Sequence, residues 1–541
     1  MSELFNAAHY LVDRQVEAGG GARPAVRCAG VETSYAALQA LTSQVAAGLR
    51  GLDVRPGERV MFLCSDRIEL LAGILGAIRL GAVAVPVSTM LTPDDTAKVL
   101  ADSGSRVLVV TPEFAGNAST AVRVASDLAH VITVGAAEIE ATPGVLVQPW
   151  EQVLAAGTWQ PGQPAPTAAT GPDTPALWLY TSGTTGNPKG AMHRHDNLRA
   201  VCETYARDVL RITPEDSCFS VAKLFFAYGL GNSLLFPLSV GATAVLEPRR
   251  PSPQIVVERM REDAPTLFFA GPTFFAALLA ADLPADTFSS VRLCASAGEA
   301  LPASLYRRLT ERFGVEILDG IGSTEALHIF LSNHQGAVRP GTSGTPVSGY
   351  DIELRDEDGR CVADGEPGGL FVRGSSIATG YWCRTEATRQ VFQGEWLRTG
   401  DTYTRSLDGY YTCMGRSNDL LKAGGIWVSP AEVEERLLQH PAVAEAAVIG
   451  VADSNELDKP VAFVVPVAGE HVDEQTLVAW CREGLSAFKR PRAVVIVEEL
   501  PKTGTGKIQR FRLRELAVGV LAPAQDTPVE TPSGVPAGAS R

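Results

Sequence analysis

Between Tyr180 and Gly190 the chain reads YTSGTTGNPKG, a run of hydroxyl and glycine residues that leads into Lys189. Glycine relaxes the φ restriction and admits a ligand close to the main chain, serine and threonine add donors, and lysine adds charge. That chemistry suits an anion wrapped by backbone N–H groups, a polyphosphate in particular. A second such run, PKTGTGK, closes on Lys507. Neither is the GxxxxGK[ST] loop: Pro188 stands where that loop requires a glycine directly before Lys189, and Pro501 stands in place of the first glycine ahead of Lys507. Three further strings set polar groups beside glycines: DGIGSTE at 319–325, TGD at 399–401 and GR at 415–416.

Taken in this order, the five strings resemble the signatures of the adenylate-forming superfamily, which includes acyl- and aryl-CoA synthetases, peptide-synthetase adenylation domains and luciferases. The resemblance runs from about residue 8 to residue 516. It implies that Thr181, Ser182, Gly183, Thr184, Thr185, Gly186 and Lys189 hold the phosphates of ATP. Gly298, Glu299, Asp319, Gly320, Ile321, Ser323 and Thr324 would complete the nucleotide site, with Asp401 on the ribose and Arg416 beside it. Asp401 is a short acceptor matched to two vicinal hydroxyls. Glu325 offers a hard carboxylate to Mg²⁺, a cation that favours oxygen ligands and bridges phosphates. By resemblance Lys507 enters from a small C-terminal domain and contacts the substrate carboxylate and the α-phosphate. Such a cation answers the charge that accumulates as pyrophosphate leaves. No general base is needed, because a carboxylic acid of pKa about 4 is already ionised at neutral pH.

The family then lets a thiol displace AMP in the same site after its small domain rotates. The hinge falls two places after the motif arginine, at Asn418, where relatives usually carry Asp or Lys; Asn tolerates unusual backbone angles. The loop LKAGGIWV at 421–428 would then face the active site, with Lys422 and Trp427 beside Gly424 and Gly425, whose lack of side chains lets a pantetheine arm of CoA pass. FKRPR at 488–492, with Phe488 and Arg490, suits either the CoA phosphates or a basic surface turn.

The acid-binding wall narrows the resemblance. KLFFAYGLGNSLLFPL at 223–238 and EALHIFLSN at 325–333 closely resemble benzoate-CoA ligases. This implies that Ala227, Tyr228, Gly229, His328 and Ile329 surround an aromatic ring, with Gly322 nearby. One aromatic, one branched aliphatic and several small residues make a flat slot suited to a phenyl group. No Asp or Glu in FFAYGLG would pair an ammonium, which disfavours amino acids. Bulk at Tyr228, His328 and Ile329 disfavours a long fatty chain. His328 is read as positioning the carboxylate or the ring, without proton transfer. Phe225 and Phe226 read as core. In HRH at 193–195 the i, i+2 spacing does not set both imidazoles on one helical face, so metal ligation is not expected there.

The expected function is therefore an ATP-dependent aryl-CoA ligase for benzoate or a small substituted benzoate. A stand-alone aryl-acid adenylating enzyme that loads a carrier protein is the alternative. A non-catalytic nucleotide-binding regulator would be a third possibility, against which Lys507, Glu325, Asp401 and Arg416 all speak.

Composition sets the surroundings. With 541 residues and 45% hydrophobic content the chain can bury several cores. A net charge of −14 argues against nucleic acid as a partner, so anionic substrates must be gripped locally. Nine scattered cysteines without a C-x-x-C pair suggest neither a disulfide framework nor a zinc cluster. MSELFNAAHYLVDRQ has no basic-then-apolar leader pattern, which points to a cytoplasmic setting. Residues 224–246 carry no charge, but their glycines, Asn232 and Pro237 suit a buried loop and helix, and no membrane association is expected. A homodimer is the expected assembly.

Elements must position these groups. The β-branched blocks at 59–64, 82–87, 106–110 and 130–134 alternate with helical patterns such as 68–81, which predicts doubly wound α/β sheets. Residues 155–174 read as an exposed connector into the strand ALWLYTS, and 176–336 as a second α/β subdomain. Closely spaced turns over 341–415 predict an antiparallel sheet or small barrel. The expected domains are 1–415 for ATP and aryl acid, 416–520 as a mobile α+β domain with the catalytic lysine, and 521–541 as a disordered tail.

Overall fold

The computed structural model describes residues 4–140, 142–157, 165–182, 188–416, 421–423, 426–452, 458–485, 489–502 and 508–517. The chain divides into two compact units, Met1–Ser417 and Asn418–Arg541. Residues 518–541, with the expected tail, lie outside the described residues.

Short apolar blocks of the first unit form parallel strands, the pattern of a sheet whose two faces are both covered. Among the described residues one sheet has seven strands, in the order Leu146–Pro149, His130–Thr133, Val107–Val110, Arg59–Leu63, Val83–Pro86, β1 (Pro175–Ser182) and β2 (Pro188–Arg194). All neighbours are parallel except β1 and β2, an antiparallel hairpin at the edge. The helix Ile68–Leu80 ends at Gly81, whose φ of +80° supplies the left-handed cap.

The second sheet has nine described strands: Thr345–Pro346, Ile329–Ser332, Ile317–Gly322, Leu293–Ser296, Leu267–Ala270, Ser217–Ser220, Thr243–Leu246, Pro24–Cys28 and Val31–Ser34. Ile317–Gly322 (β3) and Ile329–Ser332 (β4) pair antiparallel, so both sheets are mixed, with parallel cores and antiparallel edges. The uncharged run at 224–246 becomes short helical turns and the buried strand Thr243–Leu246. No helix among the described residues is long and apolar enough to cross a membrane. An antiparallel, curled sheet follows, with Tyr350–Arg355, Gly368–Gly374, Trp396–Arg405 and Tyr411–Arg416 at its centre.

The connector departs from expectation. Ala165 and Thr170 are buried, the Arg79 guanidinium donates from Nε to the Ala165 carbonyl at 2.8 Å, and Thr170 Oγ1 donates to the Phe5 carbonyl at 2.7 Å. Main-chain polar groups drawn against the domain need such partners, so residues 165–174 are only partly exposed.

In the second unit, Val443–Ala452, Asp458–Pro466 and Ala493–Ile496 form a three-stranded sheet. The helices Pro430–Leu438 and Glu474–Gly484 bury Val433, Leu437, Leu477 and Cys481 with it in one apolar cluster. A short hairpin, Leu421–Ala423 with Ile426–Val428, precedes them.

Candidate active site

The hairpin β1–β2 frames the glycine-hydroxyl run. Thr181 lies opposite Lys189 and Ser182 opposite Pro188, so the two strands stay paired up to both ends of the run; Gly183, Thr184, Thr185 and Gly186 lie outside the described residues. Below the turn the Tyr180 hydroxyl donates to Asp102 Oδ2 at 2.7 Å, and Asp102 also accepts from Arg384 Nη2 at 2.5 Å. A Cβ at Gly190 would approach Tyr180 Cζ to 3.1 Å, so glycine lets the strand lie flat on that ring.

Segment 378–382 runs along β2. Met192 N–H donates to the Gly380 carbonyl at 3.0 Å, Thr379 N–H to the Met192 carbonyl at 2.9 Å, and Trp382 N–H to the Gly190 carbonyl at 2.9 Å. This delivers Tyr381 between two of the expected site residues. Its hydroxyl donates to Glu325 Oε1 at 2.6 Å, and Lys189 Nζ stands 5.5 Å from its ring centroid. Tyr381 escaped the sequence reading, because a lone tyrosine in GYW has no spacing that marks it; its partner is 56 residues away. With Oε1 taken, Glu325 Oε2 remains for a cation. Among the described residues no group of three His, Cys, Asp or Glu could hold a metal ion. A divalent cation here would depend on one carboxylate, water and phosphate, an arrangement that suits Mg²⁺ and fits the donors present.

The turn between β3 and β4 is tightly built. Ser323 Oγ accepts from Ala326 N–H at 3.1 Å, and His328 N–H donates to the Ala326 carbonyl at 2.8 Å across Leu327, whose φ is +65°. A three-residue turn at positive φ is strained for a branched residue and persists only when its surroundings over-determine it. His193 helps to do so: its Nε2 donates to the Thr324 carbonyl at 2.8 Å, the tautomer that this acceptor requires. Burial pushes the His193 imidazole down to about 4, so it is neutral. Contrary to the helical spacing expected for HRH, His193 lies in strand β2, where alternate residues share a face. The rings are used separately all the same: His195 Nδ1 accepts from Ala7 N–H at 3.0 Å.

Asp401 and Arg416 are direct cross-strand partners in the curled sheet. Asp319 ends the parallel part of β3, buried, with Leu301 N–H donating to Oδ2 at 3.2 Å; burial pushes its carboxyl up to about 7. Cys413 lies near both carboxylates, and its thiol is raised to about 11, by burial first and then by Asp401. Ile321, Gly322, Ser323, Thr324 and Glu325 keep partial exposure. Gly298 has φ +96° with open space where a Cβ would stand, and Glu299 Oε2 accepts from Thr273 Oγ1 at 2.8 Å.

At the expected aryl wall, Ala227 and Tyr228 are half-buried, while Gly229, His328 and Ile329 are covered. Phe225 is core and Phe226 half-buried. The Tyr228 hydroxyl donates to the Ala295 carbonyl at 2.9 Å, and its ring lies 5.5 Å from that of His328. Burial pushes His328 down to about 3, which makes it a neutral ring among Tyr205, Tyr228 and Phe236. Gly231 makes room for it, since a Cβ there would lie 2.3 Å from His328 Cδ2.

In the second unit Lys422 and Trp427 are cross-strand partners, while Gly424, Gly425, Asn418 and Phe488 lie outside the described residues. Arg490 Nε donates to the Leu485 carbonyl at 2.9 Å, and Lys489 pairs with Glu432 at 2.6 Å, so two of the three cations of FKRPR have protein partners. Lys507 also lies outside the described residues; its flanks, Lys502 and Ile508, form an antiparallel bridge.

The AMP-binding enzyme family matches residues 12–382, and the AMP-binding enzyme C-terminal domain matches residues 432–507. A benzoate–CoA ligase of Thauera aromatica is 44% identical over 518 residues, which are 95% of this chain and 96% of that protein. A 4-hydroxybenzoate–CoA/benzoate–CoA ligase of Rhodopseudomonas palustris is 42% identical over 533 residues, 97% of each. The crystal structure of the anthranilate CoA ligase AuaEII in complex with anthranoyl-AMP superposes with a TM-score of 0.87 at 39% identity, covering 96% of this chain and 98% of that one. The chain belongs to the adenylate-forming superfamily of AMP-binding enzymes, among the AMP-forming acid–CoA ligases of the benzoate–CoA ligase type.

Proposed function

We propose that the chain joins benzoate or a small substituted benzoate to CoA at the expense of ATP, through an aryl adenylate. The observation that carries this reading is the convergence, within the first unit, of the hairpin that holds the glycine-hydroxyl run with the β3–β4 turn that holds Glu325, tied by Tyr381 and by the His193–Thr324 bond. In the first step a carboxylate oxygen attacks the α-phosphorus of ATP, a P–O bond forms, and the bond to pyrophosphate breaks. Thr181, Lys189 and the intervening backbone bind the phosphates, Asp401 the ribose, and Ser323 and Thr324 the neighbouring oxygens. Mg²⁺, when bound at Glu325, supplies positive charge to the departing phosphates. Lys507 draws the two anions into line, and Tyr228 with Ala227 and Gly322 offers the flat apolar contact for the ring. In the second step the CoA thiolate attacks the acyl carbon and AMP leaves, for which Lys422, Trp427 and Arg490 are the proposed contacts.

A neutral His328 makes no ion pair with the substrate carboxylate, so its contribution is to shape and orient the ring. Pyrophosphate release measured over a panel of aryl and alkyl acids tests the reading, with benzoate expected first. Supplying either CoA or a phosphopantetheinylated carrier protein then separates the two acceptors. Lys507→Ala should lose on the order of 10²–10³ in adenylation and much less in thiolation from preformed adenylate. Equal loss in both steps would remove Lys507 from its role.

A further inference from the structure

Tyr381 occupies a position that the mechanism above leaves without a task. Its hydroxyl is 2.6 Å from Glu325 Oε1, and Lys189 Nζ lies within the roughly 6 Å over which a cation is held by an aromatic ring. Lys189 and Glu325 carry opposite charge at the same end of the two sheets, yet no ion pair joins them among the described residues. The ring is clamped on its other side: Phe392 meets it edge-on at 5.3 Å, and its N–H donates to Thr388 Oγ1 at 3.0 Å. The adjoining Gly380 is held at φ +143°, where a Cβ would come within 2.7 Å of Thr388 Cγ2. With 7% of its surface exposed, the Tyr381 ring is buried while touching the carboxylate through its hydroxyl and the lysine through its ring.

We infer that Tyr381 is a positioning residue for adenylation, whose hydroxyl holds the Glu325 carboxylate and whose ring keeps the Lys189 ammonium from collapsing onto it, so that both charges stay available to a nucleoside triphosphate and its divalent cation. The inference rests on the proposed roles of Lys189 and Glu325. Its physical basis is that two opposite charges in a half-buried site neutralise one another unless something separates them, and an incoming phosphate would then have to break that pair first. An aromatic ring with a phenolic edge does both tasks, offering its face to the cation and its O–H to the anion.

The test is calorimetric titration of ATP into the full-length protein, with and without Mg²⁺ and in the absence of any acid, so that no turnover occurs. Tyr381→Phe keeps the ring and should leave metal-free ATP binding unchanged while reducing the Mg²⁺-dependent gain by about tenfold, the lower end of the effect of removing a group that orients a metal ligand. Tyr381→Leu removes the spacer and should weaken metal-free ATP binding by about tenfold as well. Adding Glu325→Gln to Tyr381→Leu should restore that metal-free affinity, because the neutral amide no longer traps Lys189. A purely structural role would not produce this rescue, and its absence overturns the spacer function. A full Mg²⁺ gain in Tyr381→Phe overturns the hydroxyl function. Glu325→Gln alone reads the metal assignment separately: if it leaves the Mg²⁺ gain intact, the proposed role of Glu325 falls, while the spacer still stands or falls on the rescue.

Discussion

His193, His195 and His328 are three of the eight histidines, and burial holds all three well below the ordinary imidazole range, at about 4, about 4 and about 3. Each works as a neutral hydrogen-bonding or packing group. The sign of the consequence follows from proton counting. Between about pH 6.5 and pH 4 the unfolded chain takes up protons that the folded chain refuses, so these contributions are complete above pH 6.5 and are lost as the pH falls. Asp66 and Asp319 act oppositely: burial raises them to about 6 and about 7, and their contributions are complete below the usual carboxylate pKa and lost as the pH rises through the folded value. Because the two sets oppose each other, a single-residue difference is the informative measurement. His195→Gln retains an acceptor for Ala7 N–H but cannot titrate, so the fall in its urea midpoint between pH 7 and pH 5 should be smaller than that of the unsubstituted protein. An identical pH slope in the two proteins would show that His195 is not a source of acid sensitivity.

The β3–β4 hairpin shows how an element converts sequence into site geometry. Gly322 pairs with Ile329, and a Cβ at 322 would lie 2.4 Å from the His328 carbonyl oxygen and 2.8 Å from Ile329 N, so only glycine lets the strands close there. Closure in turn fixes the strained turn at Leu327 and the direction of Glu325. Gly322→Ala must splay the hairpin, and a displacement of about 1 Å at a reacting geometry can cost on the order of 10²-fold. We expect that loss in pyrophosphate release, with raised KM for both ATP and the acid; wild-type kinetics would refute the argument. The same hairpin marks what could be read from the chain alone. DGIGSTE was legible because glycines and hydroxyls beside a carboxylate carry their chemistry locally. Tyr381 was not, since its meaning lies in two residues from other elements. The HRH string reads as helical although His193 lies in strand β2, because a seven-residue polar-apolar mixture carries little period-2 signal when a helix begins immediately after it. Residues 155–174 read as an exposed connector from composition, which does not reveal that Arg79 Nε donates to the Ala165 carbonyl.

At the scale of the first unit, a buried ion pair anchors the segment that leads into the β1–β2 hairpin. Arg79 Nη1 donates to both oxygens of Asp13 at 2.9 and 2.8 Å, with side-chain exposures of 3% and 6%. Gln39 Nε2 adds a donor to Asp13 Oδ1 at 2.9 Å, Arg79 Nε reaches the Ala165 carbonyl, and Ala168 N–H donates to the Arg79 carbonyl. The pair thus ties the helical N-terminal segment and the end of the helix Ile68–Leu80 to the connector that runs into β1. Taking two charges out of water is costly, and their attraction offsets that cost only while both are present. Removing one therefore hurts more than the pair itself helps: Asp13→Ala should destabilise the protein by about 3–5 kcal/mol, because it leaves a guanidinium buried without its counter-charge. Adding Arg79→Leu removes the stranded charge and should recover much of the loss, although the Ala165 carbonyl then goes without its donor. Urea midpoints of the two variants decide the matter. If the double variant is no more stable than Asp13→Ala, the anchoring lies in the backbone bonds of the connector and not in the charge pair, and the tie from the N-terminal segment to β1 must be sought in Phe5, Asn6 and Thr170 instead.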